Sequence, residues 1–306
     1  MNRPSGGPGG STTATDAARW RLAAVRPVLE AFAAADGVDA AMVSGSTARG
    51  DADRWSDVEV GVFWERRPTL ADRIAVADAA QAADIRTVNE GSPPWYDHIY
   101  LGAPRPDGLM VEVVHTLTSA AEDMLDDVLS SHNPDSPSLD AIKGIVDGRD
   151  IRGPRADLVA RWQERAQTYP RELALAVVRR DGNVEQFWRW QMLVDRDNPL
   201  LLAREFMRIA SQLLTVLHAL NGKYCGHPSA FKRLDNLDLS LAPPSLAARI
   251  RSVFNRPADE GARLLKDLVE ETYDLVELQL PEIDVDLLRT NFRSNRKPLD
   301  ALPSLD

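Results

Sequence analysis

The feature that most constrains the fold is a change in apolar periodicity near residue 118. Before it, short apolar runs bounded by Gly and Pro predict strands at Val38–Ser44, Val58–Trp64, Ile85–Val88, Asp97–Leu101 and Leu109–Thr116. After it, apolar residues recur every three or four positions, most clearly in Pro199–Leu220, as they do in amphipathic helices. We therefore expect an α+β fold, with a small mixed-sheet domain at residues 16–150 and an all-helical C-terminal domain at 151–306.

Further helices are expected on both sides of this change. The same helical spacing marks Asp16–Ala35 and Leu70–Ala83 in the first part, and Ser245–Phe254 and Glu260–Leu278 in the second. Residues 1–15 are rich in Gly, Ser, Thr and Pro and lack the apolar run of a secretory signal. We expect these fifteen residues to form a disordered tail outside the fold.

Cysteine content and hydropathy bear on where the chain resides. The 306 residues contain one cysteine, Cys225, which excludes a disulfide framework and a cysteine metal cluster. No stretch approaches the roughly 18 to 20 unbroken apolar residues of a membrane helix. The expected location is therefore the cytoplasm, with no membrane partner.

Charge is distributed unevenly along the chain. Residues 1–150 carry 13 Lys and Arg against 24 Asp and Glu, a net charge of −11, whereas the rest carries 23 against 22, a net charge of +1. An acidic first half repels phosphate backbones, which disfavours a nucleic-acid acceptor without excluding it. It suits a cationic small molecule instead.

The chemistry is concentrated where two predicted strands meet a short loop. The first strand ends in Gly45-Ser46, whose small size lets backbone donors approach a phosphate closely. About ten residues later, Asp57 and Glu59 flank one apolar residue, so period two places both carboxylates on one strand face. Such a pair repels itself, and a hard cation such as Mg²⁺ with a bound triphosphate resolves the repulsion.

The combination of Gly45-Ser46 with Asp57-Val58-Glu59 resembles the signature of DNA polymerase β-like nucleotidyltransferases. The resemblance covers about Asp39 to Thr116 and is nearest to stand-alone bacterial members such as the aminoglycoside nucleotidyltransferases. It implies that the Gly-Ser turn holds the triphosphate and that the paired acids bind the metals. It also implies a third acid on a nearby strand, a position that Glu112 matches. Glu59 departs from the family's more usual Asp.

Several other residues are weaker candidates for the same site. Arg49 either binds phosphate or solvates a loop. Lys223 and Tyr224, with Lys232, follow the strongest helix and form either an exposed basic turn or a triphosphate contact. His98 and His115 lie on the strands near Glu112, where a histidine is more often structural than catalytic.

The resemblance implies transfer of a nucleoside monophosphate, with AMP from ATP as the first expectation, to an acceptor hydroxyl. Mg²⁺ would be held by Asp57, Glu59 and Glu112, although Glu112 is equally a candidate for the base that takes the acceptor proton. The favoured acceptor is a small polar molecule resembling an aminoglycoside. Two alternatives stay open: a toxin-like or regulatory enzyme that modifies a protein or tRNA, and a nucleotide-binding module without catalysis.

Overall fold

The structure is a computed structural model that describes residues 14–89, 91–226, 234 and 237–299. It confirms an α+β fold in which a mixed sheet is followed by helices. The strands are β1 (Val38–Ser44), β2 (Val58–Trp64), β3 (Asp84–Asn89), β4 (Trp95–Leu101), β5 (Leu109–Leu117) and β6 (Arg149–Arg152). The helices are α1 (Asp16–Ala33), α2 (Gly45–Arg49), α3 (Leu70–Ala79), α4 (Thr118–Leu129), α5 (Ser136–Asp147), α6 (Ala156–Gln167), α7 (Arg171–Asp181), α8 (Arg189–Asp195), α9 (Pro199–Leu220), α10 (Leu246–Asn255), α11 (Ala258–Gln279) and α12 (Val285–Arg293).

The six strands form one sheet in the order β3-β4-β5-β2-β1-β6. The pair β2 and β5 is parallel, and the other neighbouring pairs are antiparallel. Strand β6 was not predicted, because its sequence Arg-Asp-Ile-Arg is short and polar and joins the sheet only through its pairing with β1. A four-residue edge strand has too little apolar pattern to be recognised from sequence.

One face of the sheet forms the core of this part of the molecule. Helices α1 and α3 cover alternate residues of the central strands, and the cluster includes Val58, Val60, Val62, Val111 and Val113, all fully buried. Because side chains alternate along a strand, residues 59 and 112 belong to the opposite face. The packing of the first face therefore decides which acids are free to form a site on the second.

Helix α1 begins one residue after Thr15, whose side chain accepts a hydrogen bond from the Ala18 amide as an N-cap. Thr15 is therefore part of the fold, although it was predicted to be the last residue of the disordered tail. The remainder of that predicted tail, up to residue 13, lies outside the described residues. On α1, Trp20 is 58% exposed, whereas Arg21 lies among the buried residues.

The chain divides into two compact units, and the division differs from the predicted boundary after Asp150. The sheet unit comprises the chain up to Asp126 together with Ala141–Gln167, and the helical unit comprises Asp127–Asp140 and the chain from Thr168 onward. Strand β6 accounts for part of this difference, because its pairing with β1 joins the segment around residue 150 to the sheet.

The helical unit is built around α9, which begins at Pro199 and ends at Leu220, as the sequence predicts. Asn198 caps its first turn by accepting a hydrogen bond from the Leu201 amide. Helix α11 packs against both α9 and α10, and its buried Tyr273 donates a hydrogen bond to the Gly182 carbonyl at the end of α7. No helix in the described part of the chain is long and apolar enough to cross a membrane.

Candidate active site

The turn between β1 and α2 requires glycine for two independent reasons. Gly45 has φ +63°, in the left-handed region that side chains disfavour. A Cβ at this position would also lie 2.4 Å from the Glu59 carboxyl carbon and from its Oε1. The Glu59 carboxylate therefore lies against the Gly45 backbone, and the absence of a side chain there makes the approach possible.

Ser46 is a buried residue in the first turn of α2, with 4% of its surface exposed. Its carbonyl accepts hydrogen bonds from the amides of Gly50, Asp51 and Ala52, at 3.1, 3.0 and 3.1 Å. These bonds fold the chain back directly after the short helix. Ser46 is thus held by the backbone at the start of the loop that leads to Asp57.

The loop from Gly50 to Asp57 is fixed by side chains of α1 and α2. Arg21, only 7% exposed, donates from Nε to the Ser56 carbonyl at 2.8 Å. The Thr15 hydroxyl donates to the Ala52 carbonyl at 2.7 Å, and the Thr47 hydroxyl to the Asp57 carbonyl at 3.4 Å. The backbone on both sides of Asp57 is consequently anchored before β2 begins.

Arg21 is the positioning residue that the sequence reasoning missed. The buried residues of α1 are Ala18, Arg21, Val25, Val28, Leu29 and Phe32. Their spacing of three, four, three, one and three is that of a helix face. An arginine within this apolar stripe could have indicated a positioning role, because a buried guanidinium needs a specific partner.

Glu59 and Glu112 are direct neighbours across the parallel strands β2 and β5. The same row continues on both sides, since Ser44 of β1 lies opposite Glu59 and His98 of β4 lies opposite Glu112. Both acids are half-buried and lie on the sheet face away from the valine core. The structure thus brings together two of the three predicted acids and the Gly45 turn. Asp57 lies immediately before β2, two residues from Glu59.

The electrostatic surroundings of Glu112 include two side chains of β4. His98 Nε2 lies 3.8 Å from Glu112 Oε2, which is an ion-pair distance but longer than a hydrogen bond. Burial, and then the negative charge of Glu112, raise the pKa of the Tyr96 phenol above its ordinary value. The field of the Glu112 carboxylate therefore extends along this face of β4.

The donor set fits a magnesium ion that binds together with a nucleotide. Among the described residues, no group of three or more His, Cys, Asp or Glu side chains is arranged to hold a metal ion by itself. Mg²⁺ in nucleotide sites commonly takes one or two carboxylates and completes its octahedron with phosphate oxygens and water. The pair Glu59 and Glu112, with Asp57 adjoining, supplies carboxylate oxygens of this kind.

Arg49 has two acidic neighbours in the sheet unit. Its Nε lies 3.5 Å from Asp51 Oδ1, and its Nη1 lies 3.4 Å from Asp147 Oδ2. Lys143 also pairs with Asp147, at 2.5 Å. The Arg49 side chain is 29% exposed, so a phosphate that reached it would compete with the carboxylates of Asp51 and Asp147.

Lys223 and Tyr224 lie in the helical unit, after the end of α9. Lys223 forms an ion pair with Asp238, 2.7 Å from its Nζ. Tyr224 is buried at 6% exposure, its ring centroid is 4.9 Å from that of Tyr169, and burial raises the pKa of its phenol to about 12. These contacts make Tyr224 a packing residue of that unit. Lys232 lies outside the described residues.

His115 belongs to the packed core face and not to the face that carries Glu112. Its Nδ1 accepts a hydrogen bond from Trp64 Nε1 at 3.1 Å, and its Nε2 lies 3.0 Å from Asp97 Oδ2. Because an indole N–H can only donate, the imidazole is neutral with its proton on Nε2. Asp97 also receives Arg73 Nη1 at 2.9 Å. The histidine therefore has a structural role, as its position on a strand favoured.

Comparisons with known proteins give little beyond this geometry. No family model matches the chain, and no curated protein matches it. Among solved structures, the chain matches a nucleotidyltransferase-like protein from Exiguobacterium sibiricum 255-15 with 12% identity and a TM-score of 0.38, over 86% of this chain and 80% of that one. A similarity at this level leaves the function to be argued from the residues themselves.

Proposed function

We propose that this protein is a magnesium-dependent nucleotidyltransferase that transfers a nucleoside monophosphate, with AMP from ATP as the first candidate, to a hydroxyl group of a small polar acceptor. The observation that carries the proposal is the direct pairing of Glu59 with Glu112, beside a glycine turn that admits the Glu59 carboxylate. It supports the resemblance to polymerase β-like enzymes that residues 45–59 suggest.

The acid pair is difficult to explain as a stabilising feature of the sheet. Like charges on directly opposed residues of neighbouring strands destabilise a sheet. The His98 imidazole at 3.8 Å from Glu112 is too distant to neutralise the Glu112 carboxylate through a hydrogen bond. A divalent cation would be attracted to both carboxylates, and its binding would offset their mutual repulsion.

The proposed reaction assigns one role to each group. The acceptor hydroxyl oxygen attacks the α-phosphorus, a new O–P bond forms, and the bond to the α,β-bridging oxygen breaks as pyrophosphate leaves. Asp57 and Glu59 would hold Mg²⁺, which when bound neutralises phosphate charge and stabilises charge at the attacked phosphorus. Glu112 either shares in holding the metal or takes the hydroxyl proton. Ser46 and Arg49 would contact the departing phosphates.

The acceptor class is argued from charge. The first 150 residues carry a net charge of −11, and this segment includes Asp57, Glu59 and Glu112. A field of this sign attracts a cationic small molecule, such as an aminoglycoside-like compound, and repels a polynucleotide. Modification of a protein or of tRNA is the rival, and the same assay distinguishes it.

The test is to incubate the protein with Mg²⁺ and each of the four NTPs in turn. Each NTP is tried in three separate reactions: with a panel of aminoglycosides, with tRNA, and with no added acceptor. Pyrophosphate release and a mass gain of one nucleoside monophosphate on the acceptor are expected, and chelation by EDTA should abolish both. The Glu112→Gln variant should lose the activity. The Asp78→Asn variant, which removes an exposed carboxylate on α3, should retain it. Absence of both nucleotide binding and pyrophosphate release would overturn the proposal.

A further inference from the structure

A concave site lies at the end of β2 that is remote from Glu59. It is a cavity of about 220 Å³ lined by Arg67, Pro68, Thr69, Leu70, Arg73 and Trp95. Strand β2 runs from Val58 to Trp64, so its two ends are about 20 Å apart at 3.3 Å per residue. The volume is below the roughly 300 Å³ at which drug-sized ligand sites begin, so any occupant is small.

Arg73 is the buried member of this lining, with 3% of its surface exposed. Its Nη1 donates to Asp97 Oδ1, and the other carboxylate oxygen of Asp97 receives the neutral His115. Within the described part of the chain, Arg73 Nε is buried without a hydrogen-bond partner. A guanidinium that donates from Nη1 to one carboxylate oxygen and has an Nε–H without a partner retains the capacity to bind another acceptor.

Arg67 is the exposed member. Its guanidinium carbon lies 5.3 Å from the centroid of the Trp95 ring, which supports the side chain by a cation–π contact. Arg67 makes no ion pair with any described carboxylate, whereas the adjacent Arg66 pairs with both Asp36 and Asp72. Arg67 Nη2 donates to the Gly91 carbonyl at 3.5 Å, and among the residues that the structure describes no carboxylate balances its charge.

Helix α3 adds to this field. It begins at Leu70, and Thr69 caps it, so its N-terminal end borders the cavity. Helix N-termini carry partial positive charge, although Asp72 in the first turn offsets part of it here. The combination of a helix start, an arginine that pairs with no described carboxylate and a buried arginine whose Nε lacks a hydrogen-bond partner favours an anionic occupant.

We infer that this cavity binds the oxyanion group of a small molecule, either a phosphoryl or a carboxylate group, with Arg67 and Arg73 as donors. Arginine forks match the planar and tetrahedral oxygens of these groups, which a lysine does not. The site is separate from the acid row of Glu59 and Glu112, and it does not depend on nucleotide transfer.

The test is isothermal titration of the full chain in a low-salt buffer freed of metal ions by a chelating resin, with inorganic phosphate, pyrophosphate and malonate as probes. The absence of metal prevents metal-dependent phosphate binding near Glu59, so the outcome is independent of the proposed transferase activity. Saturable binding in the millimolar range or tighter is expected. Preference for phosphate or pyrophosphate would identify a phosphoryl ligand, and preference for malonate a carboxylate ligand.

Two arginine variants localise the binding. Arg67→Gln should weaken it by about tenfold to a hundredfold, the usual contribution of a charge-assisted hydrogen bond, without changing the melting temperature. Arg66→Gln removes the neighbouring charge that Asp36 and Asp72 already balance, and should leave binding within about twofold. No binding of any probe, binding unchanged in Arg67→Gln, or equal loss in Arg66→Gln would overturn the inference.

Discussion

Glu59 and Glu112 lie directly opposite each other on the adjacent parallel strands β2 and β5, although 53 positions separate them in the sequence. Neighbouring strands are about 4.8 Å apart, so the bases of the two acidic side chains are held at close range by the backbone. The backbone therefore keeps two like charges on neighbouring positions of the sheet, and the side-chain rotamers set how far apart the two carboxylates lie. The first two predictions concern this pair and the acid that precedes it.

Glu112→Gln separates the structural from the catalytic consequences of the pair. In EDTA the variant should be more stable than the wild type by about 0.2–1 kcal/mol, because one of two opposed charges is removed. If Glu112 shares in holding the metal, added Mg²⁺ and ATP should raise the melting temperature of the wild type more than that of the variant. If Glu112 is the base, nucleotide binding should persist while turnover falls by about 10²- to 10⁴-fold. A variant that melts, binds and turns over like the wild type would remove Glu112 from the site.

Asp57→Asn should abolish transfer and weaken Mg²⁺-dependent ATP binding, because a neutral amide is a poor ligand for a hard dication. Calorimetric titration of ATP with and without Mg²⁺ measures the effect. Asp78→Asn is the matched control, since it makes the same chemical change on the exposed surface of α3. Wild-type turnover in Asp57→Asn would contradict the proposed function at its centre.

Gly45→Ala tests the close approach of Glu59 to the turn. The left-handed φ of +63° alone should cost about 1–2 kcal/mol of stability. Gly102→Ala is a matched control, because Gly102 has φ +78° but a Cβ there would meet nothing within 4 Å.

Because of the contact with Glu59, Gly45→Ala should lower the free energy of unfolding by roughly 1 to 3 kcal/mol more than Gly102→Ala does, as overpacking does. Adding Glu59→Ala should recover most of that difference. Urea unfolding of the wild type and these three variants measures each quantity. Equal losses in the two glycine variants would show that Glu59 does not lie against Gly45.

The buried Trp64-His115-Asp97 chain predicts a pH dependence of stability. Burial is the main cause that lowers the pKa of His115 below its ordinary 6.5, with Asp97 opposing it in part. The unfolded chain therefore binds a proton at higher pH than the folded chain does. The contribution of His115 to stability is complete above about pH 6.5 and is lost as the pH falls below that value, with a limiting slope of about 1.4 kcal/mol per pH unit.

His115→Gln should flatten this slope between about pH 5 and 7. Burial acts to raise the pKa of Asp97, but the hydrogen bond from His115 and the charge of Arg73 outweigh it. The pKa of Asp97 therefore falls below its ordinary 3.8. The stability that Asp97 contributes is lost only as the pH falls below about 3.8, so this loss is separable from that of His115. Urea unfolding at a series of pH values provides the measurement. Parallel curves for the wild type and His115→Gln would contradict the prediction.

The acceptor prediction concerns ionic strength. If the acceptor is a cationic small molecule, its KM should rise as salt screens its attraction to the acidic sheet unit, while kcat changes little. An uncharged acceptor analogue serves as the control. A salt-independent KM, or efficient labelling of tRNA, would favour the rival substrate classes.

The sequence by itself determined the local elements whose pattern is strong. Val38–Ser44, Val58–Trp64 and Pro199–Leu220 have the bounds that their periodicity predicts. Side chains repeat every two residues along a strand and every 3.6 residues along a helix, so this spacing depends only on neighbours along the chain. The sequence likewise indicated a glycine turn at position 45 and two acids, Asp57 and Glu59, on either side of Val58.

Only the tertiary structure decided which of these residues meet. The parallel alignment of β2 with β5 sets Glu112 opposite Glu59, and a shift of one residue would have turned it to the valine core. The acidic partner of Arg49 at position 147 and the anchoring of Ser56 by Arg21 also join residues far apart in the sequence. Such contacts arise when distant segments pack together to bury a common core, and no local periodicity records which segments will pair.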